Sequence, residues 1–451
     1  MASVRPAAVA GMFYPGDPLS LAAEVGDLLG GVGDLAPRIG FPKALVVPHA
    51  GYVYSGPVAA HAYDELSPAR GVAKRVVLLG PVHRVPVRGL AAPGATAFAT
   101  PLGEIQVDRA ALRSVQDLPQ VVESDAAHAF EHSLEVQLPF LQQVLGEFAL
   151  VPFAVGMASV GEVAQVIERL WSEPETVVIV STDLSHYHSY QDARRIDSGT
   201  LARVAAYATD IDHDEACGAT PLNGLLSFAK TRSMRIKQLA ACNSGDTAGD
   251  KGRVVGYSSF ALYEDHMAVS AEEAGGALLD IAHRAIEQQL FRTKVAALEA
   301  AAWLKQAGAT FVTLKKDGRL RGCIGSLGAA RALAEDVAQN ALGAAFRDPR
   351  FPALAADEWP RCRVEVSLLS APKPVRFADE DDLLAQIRAG EDGLILEAQG
   401  RRGTFLPQVW ESIPDPRTFL HELVRKAGLP ADTRLARCNV SRYRVVKFDG
   451  R

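Results

Sequence analysis

The sequence predicts an α/β domain with a largely parallel central sheet, joined to a smaller α+β domain. Three observations lead there. Short runs rich in β-branched residues alternate with amphipathic stretches in the first part of the chain. In the second part, Asp317-Gly318 lies between two apolar runs, a strong hairpin signal. Charge also divides unevenly. Residues 1–265 hold 20 Lys and Arg against 29 Asp and Glu, a net of −9, while residues 266–451 hold 27 against 24, a net of +3. Eight of the eleven histidines fall in the first part, so the two parts are expected to do different jobs.

In order, Ala44–Pro48, Arg75–Leu79, Phe148–Phe153 and Thr176–Val180 are compact apolar runs that read as strands buried on both faces. Leu19–Leu29 and Glu162–Trp171 have amphipathic helical spacing, and Gly256–Tyr263 reads as a last strand. The polar stretch Glu264–Gly276 marks the boundary, giving a first domain of residues 1–265, a linker of 266–273 and a second domain of 274–451. In that second domain, Ala277–Leu304 and Arg331–Phe346 read as helices. Thr310–Lys315 with Arg319–Ile324 reads as a hairpin and Arg363–Leu369 as a strand. Gly393–Glu397 with Gly403–Pro407 makes a second hairpin turning near Gly400. The helix Arg417–Ala427 and the strand Ser441–Phe448 follow.

A chain 48% hydrophobic and 22% charged can bury a full core, which excludes disorder as its main state. The net charge of −6 argues against wholesale nucleic-acid or anionic-membrane binding. Five scattered cysteines do not form a disulfide framework. The opening stretch is broken by Pro6, Gly11, Pro15 and Gly16, and no apolar run approaches a membrane span. These features predict a cytoplasmic protein.

Three strands run into polar clusters: His49-Ala50-Gly51-Tyr52, Gly80-Pro81-Val82-His83 and Ser181-Thr182-Asp183-Leu184-Ser185-His186. Ligands of open α/β sheets bind beyond the carboxyl ends of strands. If these strands are parallel neighbours, His49, His83, Asp183 and His186 share one crevice. Two histidines at adjacent strand ends can bind one metal, with Cys217, His132, Asp183 or Cys242 as a third ligand. Cys242 is expected to open a polar loop. Glu131 and Glu135 are four residues apart, as on one helical face, and His132 or Glu135 is a candidate to orient metal-bound histidines.

With Pro6–Asp17 (PAAVAGMFYPGD), PHAGYVYSG (Pro48–Gly56), LGPVH (Leu79–His83), EHSLEVQLPF (Glu131–Phe140), STDLSHY (Ser181–Tyr187) and ACG (Ala216–Gly218), the first part resembles the Memo family over residues 4–264. The resemblance implies a three-layer domain similar to class III extradiol dioxygenases. It implies His49, His83 and Cys217 as metal ligands, with Asp183, His186 and His132 as pocket and acid–base groups. Fe(II) is the expected metal, with Cu or Zn as alternatives. Those dioxygenases resemble a two-His, one-Glu site, whereas the third ligand implied here is a thiolate. Ring cleavage is therefore not inherited.

Leu320–Ser326 (LRGCIGS), with Asp348-Pro349-Arg350-Phe351, Gly393–Leu396 and Gly403–Trp410, resembles the AMMECR domain over residues 274–448. Within that motif Arg321 is a candidate anion-binding residue and Cys323 a candidate thiol nucleophile. Gly322 and Gly325 would allow close approach of a ligand or another strand. The pairing resembles the AmmeMemoRadiSam system, which implies a radical SAM protein as partner. The chain itself has no CxxxCxxC triad. The expected function is a non-haem iron redox or oxygen-using enzyme acting on a small molecule or peptide. The alternatives are a non-catalytic metal- or peptide-binding maturation module, or a zinc hydrolase.

Overall fold

The computed structural model describes residues 3–33, 37–171, 175–264, 269–292, 301–431 and 433–450. The chain divides into two compact units, one of residues 1–32 and 40–268 and the other of residues 33–39 and 269–451.

In the first unit the four apolar runs become parallel neighbours, in the order Ala44–Val47, Thr176–Ser181, Arg75–Pro81, Ala149–Val155. Beyond Arg75 and Ala149 every residue of these strands is buried. Covered on both faces, they show no alternation of apolar and polar residues. The sheet is mixed at its flanks: Val254–Tyr263 runs antiparallel to Ala44–Val47, and Leu90–Ala92 runs antiparallel to Ala149–Val155. Cys242, expected in a loop, instead lies in the strand Arg235–Asn243, paired antiparallel with Val254–Tyr263.

The predicted helices begin slightly earlier than their apolar spacing suggests, because capping residues set the start. Asp17 caps Pro18–Gly30. Ser159 and Glu162 form a reciprocal capping box at Val160–Leu170, whose buried residues Val163, Val166, Ile167 and Leu170 make one stripe. Around residue 131 the expectation fails. Glu131 and His132 lie in a loop, and helix proper begins only at Leu138, after a 3-10 turn at Glu135–Gln137. Glu131 and Glu135 thus do not share a helical face, since each carboxylate is held by a different part of the chain.

The second unit holds two four-stranded antiparallel sheets. One has the order Arg319–Gly325, Thr310–Lys316, Cys362–Leu369, Val445–Asp449. The other has the order Lys373–Val375, Asn439–Tyr443, Gly393–Ala398, Arg401–Phe405. Asp317 (φ 52°) and Gly318 (φ 78°) both adopt the left-handed conformation that a tight hairpin turn requires, as do Gln399 (φ 52°) and Gly400 (φ 70°). The strand expected at Ser441–Phe448 is in fact two, broken at Arg444 and shared between the two sheets. Residues 271–273, expected in the linker, form the first turn of the helix Ala271–Phe291, which is started by a Ser270–Glu273 capping box. Linker residues 266–268 and residues 293–300 of the expected helix lie outside the described residues. Among the described residues no helix is long and apolar enough to cross a membrane.

Candidate metal centre

The strands Ala44–Val47, Thr176–Ser181 and Arg75–Pro81 are adjacent and parallel, so their carboxyl ends open on one edge of the sheet. A cavity of about 690 Å³ lies there. It is lined by His49, His83, His132, Asp183, His186 and Cys217, the six site residues that the Memo resemblance implies, whereas the other candidates Cys242, Glu131 and Glu135 do not line it.

Ligand atoms of His49, His83 and His132 lie within 4.8 Å of one another, so this cluster could hold a divalent metal ion. The hydrogen bonds around it fix which nitrogens face inward. His49 is buried, and its Nδ1 lies 2.8 Å from Ser181 Oγ. The single hydroxyl proton of Ser181 is already donated to the Ser133 carbonyl at 2.7 Å. His49 Nδ1 must therefore carry a proton, which leaves the Nε2 lone pair free. His83 is held the same way: Nδ1 lies 2.9 Å from Glu131 Oε1, and the His83 N–H donates to Glu131 Oε2 at 2.7 Å. Burial pushes the Glu131 carboxyl up, but His83 and the N–H groups of Ser133 and His83 outweigh it and hold the group down at about 2. A carboxylate or hydroxyl behind each imidazole orients it for a metal.

Burial drives the His49 imidazole well below its ordinary pKa, helped by His132, His83 and His186, and lowers His132 to about 4. Both are then neutral at pH 7, the form that binds metal. His186 is likewise lowered, chiefly by burial.

The strand-end pattern leaves Cys217, His132, Asp183 and Cys242 open as third ligand, and the Memo resemblance implies Cys217, with His132 as a pocket group. In the structure His132 stands in the cluster, and Cys217 Sγ lies 3.4 Å from His49 Nε2. Gly218 brings that cysteine in. A side chain there would meet the Ser181 carbonyl at 2.6 Å, so only glycine lets the turn rest on the strand end. Burial, with Asp183 beside it, raises the thiol to about 12.

Asp183 accepts the His49 N–H at 2.7 Å, and its Oδ2 faces His49 Nε2 at 3.9 Å. Burial raises its carboxyl to about 7 from 3.8, against the lowering by the His49 and Ala50 N–H groups. Its folded-state pKa is thus above the unfolded one. The stability it contributes to the metal-free protein is complete below about pH 4 and is lost as pH rises through 7. Asp183→Asn is expected to lose less stability than wild type between those limits, by on the order of 3 kcal/mol. Urea unfolding at pH 4.5 and pH 8 measures this, and a parallel loss in both proteins would contradict it.

Tyr187, His188, His213 and Asp214 complete the cavity wall, and the sequence reading did not single them out. The tripeptide His186-Tyr187-His188 was the available signal. Tyr187 takes a left-handed conformation (φ 63°) that an alternating strand pattern does not suggest.

In the second unit the LRGCIGS motif is mixed, with Leu320 exposed, Arg321 and Gly322 buried and Cys323 to Ser326 half-buried. Arg321 donates to Glu358 at 2.9 Å, while its buried Nη1 has no hydrogen-bond partner among the described residues. Gly322 backs onto the helix Leu333–Phe346, and Gly325 backs onto the Phe311 ring. Cys323 is half-buried. Its N–H donates to Asp348 at 2.8 Å, and the Thr313 hydroxyl donates to its sulfur at 3.3 Å.

Residues 5–261 match the family model described as Memo-like protein, and residues 279–448 match the AMMECR1 model. A MEMO1 family protein of Sulfolobus acidocaldarius is 35% identical, covering 57% of this chain and 98% of that protein. A MEMO1 family protein of Methanopyrus kandleri is 38% identical, covering 56% and 97%. An uncharacterised Pyrococcus horikoshii protein of solved structure is 32% identical, covering 39% of this chain and 90% of that one, with a TM-score of 0.36. With more than half its length under one family model and its strand-end histidines gathered in one pocket, the chain belongs to the Memo-like family and carries an AMMECR1 domain after it.

Proposed function

We propose that the first unit is a cytoplasmic mononuclear metal centre, held by His49, His83 and His132, with iron(II) as its metal and redox chemistry as its work. The observation that carries this reading is the approach of three ligand atoms to within 4.8 Å. The donor set suits the group: imidazoles bind a divalent first-row metal, those of His49 and His83 are held by Nδ1 so that Nε2 is left to bind, and three side-chain ligands leave positions open toward the cavity. Iron(II) there would supply one-electron chemistry toward dioxygen or an organic ligand. Asp183, which keeps its proton to about pH 7, can give or take a proton at Oδ2. Cys217 stands beside His49 Nε2, where loss of its proton would make it a further donor.

Anaerobically prepared protein titrated with iron(II) is expected to bind one equivalent, and His83→Ala to bind none. Failure of wild type to bind overturns the reading. Three imidazoles with an open position also suit catalytic zinc. Native protein holding one zinc with hydrolytic turnover would replace the iron reading with a zinc hydrolase. On its AMMECR1 resemblance, the second unit is proposed to dock a radical SAM protein. Co-purification with such a partner from the native host, retained in His49→Ala, is the expected result.

A further inference from the structure

The segment Arg5–Tyr14 grips the loop that carries Glu131 and His132. Arg5 is 5% exposed, and its guanidinium is fully engaged with that loop. Nε donates to the His128 carbonyl at 3.0 Å, Nη2 donates to the Glu131 carbonyl at 2.7 Å, and Nη1 pairs with Glu135. Glu135 is completely buried and also accepts the N–H groups of Ala8 (2.7 Å) and Val9 (2.9 Å) and the Tyr14 hydroxyl (2.5 Å). The ring of Phe13 packs 4.9 Å from the ring of His132. The Phe13 carbonyl accepts the Tyr52 N–H at 2.8 Å, three residues after His49, and the Tyr52 hydroxyl donates to the Val136 carbonyl at 2.8 Å. One short segment is therefore fastened both to the 128–136 loop and to the start of the helix that follows His49.

Neither Arg5 nor Glu135 lines the cavity, so neither is placed to touch a substrate. A buried ion pair is also a poor source of stability, because apolar residues of similar volume often do as well or better. What the pair does fix is position. Glu131 lies between two constraints, with its carbonyl on Arg5 and its carboxylate on His83. A shift of the loop would move His132 directly and His83 through Glu131.

We infer that Arg5 and Glu135 are positioning residues of the metal centre: through the segment Arg5–Tyr14 they hold the 128–136 loop so that His83 and His132 reach ligand spacing beside His49. This rests on the reading that those three histidines hold a metal.

Cobalt(II) is the probe, with its affinity and its visible absorption bands as the readouts, on the full-length protein. The informative variant is Arg5→Met combined with Glu135→Leu, which replaces the ion pair by apolar groups. It is expected to melt below wild type, because the Ala8 and Val9 N–H groups and the Tyr14 hydroxyl lose their acceptor, but, where folded, to bind cobalt(II) at least about tenfold more weakly and to show altered absorption bands. A folded double variant with wild-type affinity and spectrum overturns the inference, because a purely structural pair would alter neither. If that variant does not fold, Tyr14→Phe decides. It removes one of the bonds to Glu135 and is expected to weaken cobalt(II) binding a few-fold, about a third of the double variant's effect on a logarithmic scale. Unchanged binding and spectrum in Tyr14→Phe then overturn the inference. Wild type that binds cobalt(II) no better than His83→Ala overturns the metal reading itself, and this inference with it. Tight wild-type binding with indifferent strap variants overturns the positioning role alone.

Discussion

Glu131→Ala is expected to bind cobalt(II) or iron(II) roughly 10- to 100-fold more weakly than wild type, the usual result of removing a group that orients a metal-bound imidazole. The carboxylate is almost fully buried and receives the His83 ring, the His83 N–H and the Ser133 N–H together. Alanine leaves all three donors without an acceptor in a desolvated place, so stability should fall as well, by roughly 3 kcal/mol. Glu131→Gln separates the two effects. Its amide oxygen can still accept from the His83 ring and the Ser133 N–H, as Oε1 does, leaving only the His83 N–H without an acceptor. It should therefore keep more stability than alanine while still losing the charge behind His83. Isothermal titration with metal and urea unfolding on both variants measure these quantities. Wild-type metal affinity in a folded Glu131→Ala protein would falsify the assigned role.

Gly322→Ala is the structural counterpart. A methyl group at residue 322 would lie 2.1 Å from the Ala344 carbonyl oxygen and 3.0 Å from its carbon. The obstacle is helix backbone, which cannot turn aside as a flexible side chain can. The strand Arg319–Gly325 would have to part from the helix Leu333–Phe346, whose buried residues pack with Val312 and Leu314 in the same core. A cost above about 3 kcal/mol is expected, at the upper end for overpacking. Differential scanning calorimetry should show the loss in the transition of the second unit, with the first unit's transition in place. Gly318→Ala, in open space but at φ 78°, tests a different penalty: conformational strain of about 1 kcal/mol without any clash. Equal effects of the two substitutions would contradict the packing argument.

The sequence made the strands legible where burial on both faces left unbroken apolar runs, and the hairpins where turn chemistry is local, as at Asp317-Gly318. It made the pocket legible because strand ends concentrate polar groups, and His49, His83, Asp183 and His186 all sit at such ends. What it hid depends on partners distant in the chain. Nothing near Glu131 announces that its carboxylate turns to His83 while Glu135, four residues on, turns to Arg5 and Tyr14. Helical spacing suggested one face, and long-range hydrogen bonds chose two. The break at Arg444 was hidden for a similar reason. Both halves of the Ser441–Phe448 run suit a strand, and only the presence of two sheets separates them. His213 escaped notice because its link to the site, Nδ1 to the Cys217 carbonyl at 3.2 Å, is made by a turn with no sequence periodicity.

The order of the three strands at the pocket edge, with residues 176–181 between 44–47 and 75–81, carries a kinetic consequence. The histidine cluster draws on residues 49, 83 and 132, and the groups behind them on residues 5, 131 and 181. Each joining of these pieces closes a long loop of chain, and such contacts form late and slowly. An ion held there would therefore not nucleate this domain as zinc nucleates a finger. The chain must build most of its sheet first, so a metal held by this cluster would enter a finished vessel. Chelators should accordingly empty a loaded site without unfolding it, so loading of a metal would be separable from synthesis of the protein.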